Sequence, residues 1–454
     1  MKGASGKLNM KDRKTGKSTL KQFYHHFKIP GSVLIVLTFY AGLQVTGCSF
    51  FKKKEPYIFP FSSARIGVLS KYHLKDFEVE GKNVRLMADN GEYVFKEMNL
   101  RLKIAGDGIS VFEKAGLSFI TKSVVVVPVP GAAEKTNATR ALLVRWAEHK
   151  RLYAGKLEAR ARNGEFLIVN TVDVEDYIYQ SARQESGDLL KNNLSPDTLD
   201  TKVAKEIKEV KKAKEEFLRA TETVIRSYLF YHRDRHKDEG YDLCDLTHCL
   251  VYGGGIPGGQ NNNENKYVLL GQNGNPLNAY FHSTCGGNLS SPGVYWPVAE
   301  NQGAFRNGFD GGPGAVFNKS QYCQKSPHSD WQARVEEHTL AKIFGERFNN
   351  LGLVYKDNRV SSLTYLGDAR EKKQMGIALF LSKIGRELGW SVIKSNDFSV
   401  THNGNAWFFQ GRGLGHGIGL CQWGAMEQAR QGKTFKEILG FYYPGAEIRQ
   451  GVYP

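Results

Sequence analysis

Residues Gly411 to Gly445 read GRGLGHGIGLCQWGAMEQARQGKTFKEILGFYYPG. Five glycines in nine residues (Gly411, Gly413, Gly415, Gly417, Gly419) surround His416. Glycine at alternate positions is expected to bare one face of an extended strand, letting a ligand or another backbone approach. His416 and Gln422 then stand out as polar groups on that surface. After Gln422 the period changes: Met426, Ala429, Phe435, Ile438 and Leu439 fit short helical turns, and Tyr442-Tyr443-Pro444-Gly445 closes with a turn. A glycine-rich strand of this kind is also compatible with a purely structural hairpin.

The whole string is more specific than its parts. It resembles the C-terminal signature of the stage II sporulation protein D family, also called the SpoIID/LytB or amidase-enhancer family. Its pattern is a glycine-flanked GHG, a GxxQxGA, a helix and an IL-x-x-YYPG close. Further segments match in the family's order, from about residue 150 to the C-terminus.

The 454-residue chain is long enough for two or three domains. Part of its formal charge of +16 sits at the start: residues 1–28 hold eight Lys or Arg against one acid, Asp12. A basic surface favours polyanions such as nucleic acid, anionic lipid or wall polymers, or serves solubility alone. Residues 29–47 carry no charge, and Val33 to Leu43 form an apolar run suited to a signal-peptide core. The run ends in Val45-Thr46-Gly47-Cys48, which resembles a bacterial lipobox, with Cys48 the lipidated residue. Met10 is an alternative start and an uncleaved anchor an alternative reading; both place residues 49–454 outside the cytoplasm. The expected localisation is therefore an exported, membrane-anchored lipoprotein facing the periplasm or cell wall, which excludes nucleic acid as a partner. Lys52, Lys53 and Lys54 suit anionic headgroups.

The expected organisation is 1–47 signal peptide or anchor, 48–55 basic linker, 56–150 β-rich region and 151–454 SpoIID-like catalytic domain. The fold class expected is α+β: β-rich, with one long helix and, by the resemblance, a glycan-binding cleft. Short β-branched runs at 66–69, 118–120, 124–127, 142–144 and 166–169 predict strands. Apolar residues from Val203 to Val224 at three- and four-residue spacing predict a helix over 197–232, and two more are predicted at 336–348 and 375–388. Asn261 to Asn265 reads as a polar loop insertion.

Within the resemblance, Val174-Glu175-Asp176-Tyr177 matches an acidic strand end that leads to a short helix with one glutamate. Glu185 falls at that position, which implies the catalytic acid of a lytic transglycosylase. The flanking residues depart from the family: Ser186 follows where methionine is common. Arg226-Ser227-Tyr228 keeps a helix-end Ala-Arg-Thr-Tyr pattern. Arg226 is expected to pair with a carboxylate in the cleft, grip the lactyl group of a muramic sugar, or complement the helix dipole. Ser283, Tyr228, His416 and Gln422 would line the sugar groove. Trp407 and Trp423 would stack on sugars or pack in the core.

Cys244 and Cys249, with His232, His236 and His248 nearby, offer the mixed ligands that tetrahedral zinc takes. The family's structural zinc carries over most closely to His236, Cys244 and Cys249, with Cys285 or His282 as further candidates. A Cys244–Cys249 or Cys249–Cys285 disulfide is the rival reading. No organic cofactor is expected.

A lytic transglycosylase needs one carboxylic acid, whereas a hydrolase needs a second. No paired acid is evident near Glu185. The resemblance thus implies cleavage of MurNAc-β-1,4-GlcNAc bonds in peptidoglycan strands, with peptide-stripped glycan as substrate and a 1,6-anhydro product. The other class is a non-catalytic amidase enhancer or wall-binding protein with a cell-wall amidase as partner. A metallopeptidase using His416 lacks any His-Glu-x-x-His spacing.

Overall fold

In a computed structural model, the residues described are 54–114, 116–129, 141–191, 201–258, 266–296, 305, 308–309 and 322–453. The uncharged run, Cys48 and the Asn261–Asn265 insertion lie outside them. No helix among the described residues is long and apolar enough to cross a membrane.

The longest feature of the first half was not anticipated as such. Strands Asp76–Ala88 and Gly91–Ala105 form one long antiparallel hairpin around the two-residue turn Asp89-Asn90. The Asp89 carboxylate secures the turn by accepting the Lys122 N–H at 2.7 Å and the Thr121 hydroxyl at 3.0 Å. Alternation is visible in burial: Met98, Leu100 and Leu102 face the core while Arg101 and Lys103 face solvent. Each such buried aliphatic side chain contributes about 1.5–3 kcal/mol of transfer free energy.

This hairpin sits in an 11-stranded sheet. Its order runs Leu243–Cys244, Ser63–Val68, Glu165–Asp173, Lys156–Arg162, Ser123–Pro128, then the hairpin, Gly108–Glu113 and Ser118–Thr121. Ala141–Trp146 also pairs with Asp76–Ala88 and carries His149–Ala154 on its far side. Strands on both sides of residue 150 therefore share one sheet, and Pro56–Pro454 is one compact unit.

Seven α-helices lie in the described residues: α1 Val174–Ser186, α2 Thr201–His232, α3 Pro292–Tyr295, α4 Glu337–Phe344, α5 Ile377–Leu388, α6 Gln422–Arg430 and α7 Phe435–Tyr442. The predicted long helix is α2. Its stripe Ala213, Phe217, Ala220 and Val224 is buried against α6 and α7 residues, among them Ala425, Met426, Ile438 and Leu439. The two further predicted helices appear as α4 and α5, each a few residues shorter. They belong to a lobe with its own core, where Trp331, Phe348, Phe380 and Phe409 pack together between two three-stranded sheets. The architecture is mixed α+β and strand-rich, with several sheets.

Candidate functional site

The segment read as a strand end is the start of α1. Asp173 is its N-cap, accepting the N–H groups of Glu175 at 2.8 Å and Asp176 at 3.3 Å, so the helix begins three residues before Tyr177. Val174, Tyr177, Ile178, Ser181 and Ala182 form its buried face. Another face, spaced by four, is tied to the segment 253–258. The Asp176 carboxylate accepts the Gly258 N–H at 3.0 Å, Gln180 donates to the Ile256 carbonyl at 2.8 Å, and Gln184 donates to the Gly254 carbonyl at 2.9 Å. Gln184 also accepts the Gly253 N–H. These bonds hold the last turn of α1, and so Glu185, against the segment that follows Cys249.

Glu185 opens into a cavity of about 790 Å³. One carboxylate oxygen accepts the Val251 N–H at 2.7 Å, and Gln422 donates to the Glu185 carbonyl at 3.0 Å. Burial pushes the Glu185 carboxyl up to about 7, the Val251 N–H opposing only part of that shift. Among the described lining residues it is the sole carboxyl, and Arg235 the sole guanidinium or ammonium.

The structure brings Tyr228, Ser283, His416 and Gln422 to the same cavity as Glu185. Tyr228 accepts from Arg235 at 2.8 Å through its phenol oxygen, and burial raises that phenol further above its ordinary value. His416 lies among the rings of Tyr280, Tyr295, Trp296 and His282, at centroid distances of 5.1–6.0 Å. Its Nδ1 accepts the Ile418 N–H at 3.1 Å. Burial, with the nearby Arg359 charge, lowers it to about 3, so the ring is neutral near neutral pH.

The glycines around His416 do not form the bare strand face expected. The strand Ala406–Arg412 ends first, and Gly413, Gly415, Gly417 and Gly419 all take positive φ. Two show why no side chain fits: a Cβ at Gly419 would lie 1.9 Å from the Tyr280 carbonyl oxygen, and one at Gly417 2.3 Å from the Arg359 guanidinium. The glycines admit this protein's own backbone and a buried arginine.

Arg226 is not at the cavity. It is buried and grips Glu175 bidentately, at 3.0 and 2.6 Å, while donating to the Tyr267 carbonyl at 2.8 Å. Of the two tryptophans, Trp423 lines the cavity and Trp407 packs in the separate lobe. Trp296, Tyr280 and Arg235 also line it; they come from short or irregular segments where no periodicity marks an inward face, while His232, a candidate metal ligand by sequence, lines it from the end of α2.

Beside the cavity, His236, Cys244, His248 and Cys249 bring four ligand atoms within 4.8 Å of one another, a group that could hold a metal ion. Cys249 Sγ lies 3.4 Å from His236 Nε2 and 3.6 Å from His248 Nδ1, which is 3.7 Å from Cys244 Sγ. The Glu239 carboxylate holds His236 Nδ1 at 2.6 Å, aiming Nε2 at the sulfurs. Two thiols and two imidazoles suit tetrahedral zinc. His248 occupies the place for which Cys285 and His282 were the candidates; those two cluster with Cys421 instead.

No family model matches the chain. It is 26% identical over 309 residues to an uncharacterized protein of Brachyspira hyodysenteriae, covering 65% of this chain and 72% of that one. It is 26% identical over 185 residues to stage II sporulation protein D of Bacillus subtilis, covering 40% of this chain and 48% of the relative, about half its length. It is 36% identical over 72 residues to an amidase enhancer of the same organism, covering 16% of this chain and 10% of that protein. With its C-terminal signature, the chain is thus related to the stage II sporulation protein D family.

Proposed function

We propose that this protein is a peptidoglycan lytic transglycosylase that cleaves MurNAc-β-1,4-GlcNAc bonds with Glu185 as its single acid and base. The observation that supports this best is a lone carboxyl, held near pH 7, in a cavity with no second carboxyl among its described lining residues. Protonated Glu185 would give its proton to the leaving glycosidic oxygen. As a carboxylate it would then take the proton of the muramic C6 hydroxyl as that oxygen attacks C1, closing the 1,6-anhydro ring and restoring the acid. The Val251 N–H on one oxygen steadies the carboxylate and leaves the other for the proton. Tyr228, Ser283, His416 and Gln422 would bind the glycan; Trp296 and Trp423 offer ring faces to sugars. Arg226 would act indirectly, by anchoring α1 through Glu175.

His236, Cys244, His248 and Cys249 would hold a structural zinc; bound there, it would fix the cavity wall that carries Cys249 and, two residues on, Val251. The residues from 151 to 454, within the Pro56–Pro454 unit, would supply the chemistry, and Cys48 would anchor the protein by lipid outside the cytoplasm, facing glycan strands.

The match to an amidase enhancer supports a second reading, in which the chain binds the wall or a cell-wall amidase without cutting. Detergent-solubilised full-length protein should release 1,6-anhydromuramic ends from peptide-stripped glycan, read by mass spectrometry. Absence of that product, together with stimulation of an added amidase, would favour the second reading.

A further inference from the structure

Three thiols meet behind the wall of the Glu185 cavity. Cys285, Cys323 and Cys421 are all fully buried and come from segments far apart in sequence. Cys421 also contacts Cys323 but is held by backbone: its Sγ accepts the N–H of Cys285 at 3.3 Å and of Gly424 at 3.4 Å, capping α6, and its thiol faces the Ser283 carbonyl at 3.7 Å. Cys285 and Cys323 face each other, Sγ to Sγ, at 3.4 Å across 38 residues of sequence. Their surroundings already join the same two segments: the Thr284 and Ser326 hydroxyls are 2.7 Å apart. Ser283, two residues before Cys285, and Pro327 and His328, just after Cys323, line the cavity.

We propose that Cys285 and Cys323 are the partners of a structural disulfide that ties two walls of this cavity together, with Cys421 remaining a thiol. The inference rests on the export part of the functional reading, since such bonds persist in oxidising compartments. Closing the bond needs about 1.4 Å of approach between the sulfurs. Cys323 serves as the first nucleophile in the exchange, which reaches the same bond if Cys285 attacks first. The Cys323 thiolate attacks an external disulfide, releasing one external thiol and leaving a mixed disulfide. The Cys285 thiolate then attacks Cys323 Sγ and releases the second. Two protein thiols lose two electrons and two protons; the external disulfide becomes two thiols. Because both sulfurs are shielded in the fold, the exchange belongs to folding, and the finished bond is protected from reductants.

The test uses the full chain refolded with zinc in a buffer of reduced and oxidised glutathione, so neither export nor glycan cleavage enters the result. After alkylation under denaturing conditions, peptide mapping should show Cys285 linked to Cys323 and Cys421 alkylated. The chain refolded under reducing conditions should melt roughly 5 °C lower. Cys323→Ser should abolish that redox dependence. A bond that includes Cys421, or three alkylated thiols with or without a second equivalent of metal, would overturn the assignment. The mapping is done on the wild-type chain and stands even where the variant fails to fold.

Discussion

Glu175 and Glu185 lie on the same helix, ten residues apart, and the fold treats them in opposite ways. Glu175, in the first turn of α1, is largely but not fully buried, and the Arg226 guanidinium overrides the effect of that burial and holds its carboxyl below the ordinary value. Glu185, in the last turn, has no cation against it among the described residues, so burial decides and the carboxyl rises to about 7. Residue type and helix are the same in both cases; the difference is whether a second element supplies a charge. A carboxylate kept ionised serves architecture, and one kept protonated near neutrality suits proton transfer.

The sharpest way to break this contrast is to remove the titrating group alone. Glu185→Gln keeps the acceptor for the Val251 N–H but cannot give and recover a proton. Anhydromuramic product should form at least about 10²-fold more slowly, with glycan binding retained. Equal rates in both proteins would remove Glu185 from the chemistry.

The other glutamate should show its effect in stability. Arg226→Met leaves the Glu175 carboxylate without its guanidinium and with the Tyr453 hydroxyl as its remaining hydrogen-bond donor, which costs about 3–5 kcal/mol in denaturant unfolding. Adding Glu175→Gln should recover much of that loss. Since Glu175 is held low, its contribution is present above its unfolded pKa and is lost as pH falls through the folded value; the Arg226→Met penalty should therefore shrink in acid. A penalty that stays constant through the acid range would mean that Arg226 acts by packing.

Glu185 carries the reverse sign. Its folded pKa stands above the unfolded value of 4.5, so its contribution is complete below pH 4.5 and is lost as pH rises through about 7. Glu185→Gln should match wild type near pH 4 and exceed it by about 3 kcal/mol at pH 8. Wild-type cleavage should fall above pH 7 as the acid form disappears.

Smallest of all is the contact that positions the helix end. Gln422→Ala removes the donor to the Glu185 carbonyl and should cost about 1 kcal/mol in unfolding free energy. If cleavage falls tenfold or more with stability so little changed, Gln422 touches the substrate as well.

The sequence alone determined the elements whose signal is local. The stripe on α2, the paired turns after Gln422 and the β-rich first half follow from periodicity, because burying one face of a helix or strand imposes 3.6- or 2-residue spacing. Glu185, Tyr228, Ser283, His416 and Gln422, picked out on the family pattern, share one cavity. The long 76–105 hairpin escaped notice because its exposed half, Tyr93 to Glu97, mixes charged and aromatic residues without clean alternation. Other decisions were tertiary. Arg226 faces Glu175 only because α1 and α2 pack together. His248 joins the thiols through the local turn geometry of 236–249, and Cys285 leaves them for Cys323 and Cys421 because chain segments far apart in sequence meet there. The pKa of Glu185 depends on how much protein surrounds it and on which charges stand against it, properties of three-dimensional neighbours that no spacing along the chain encodes.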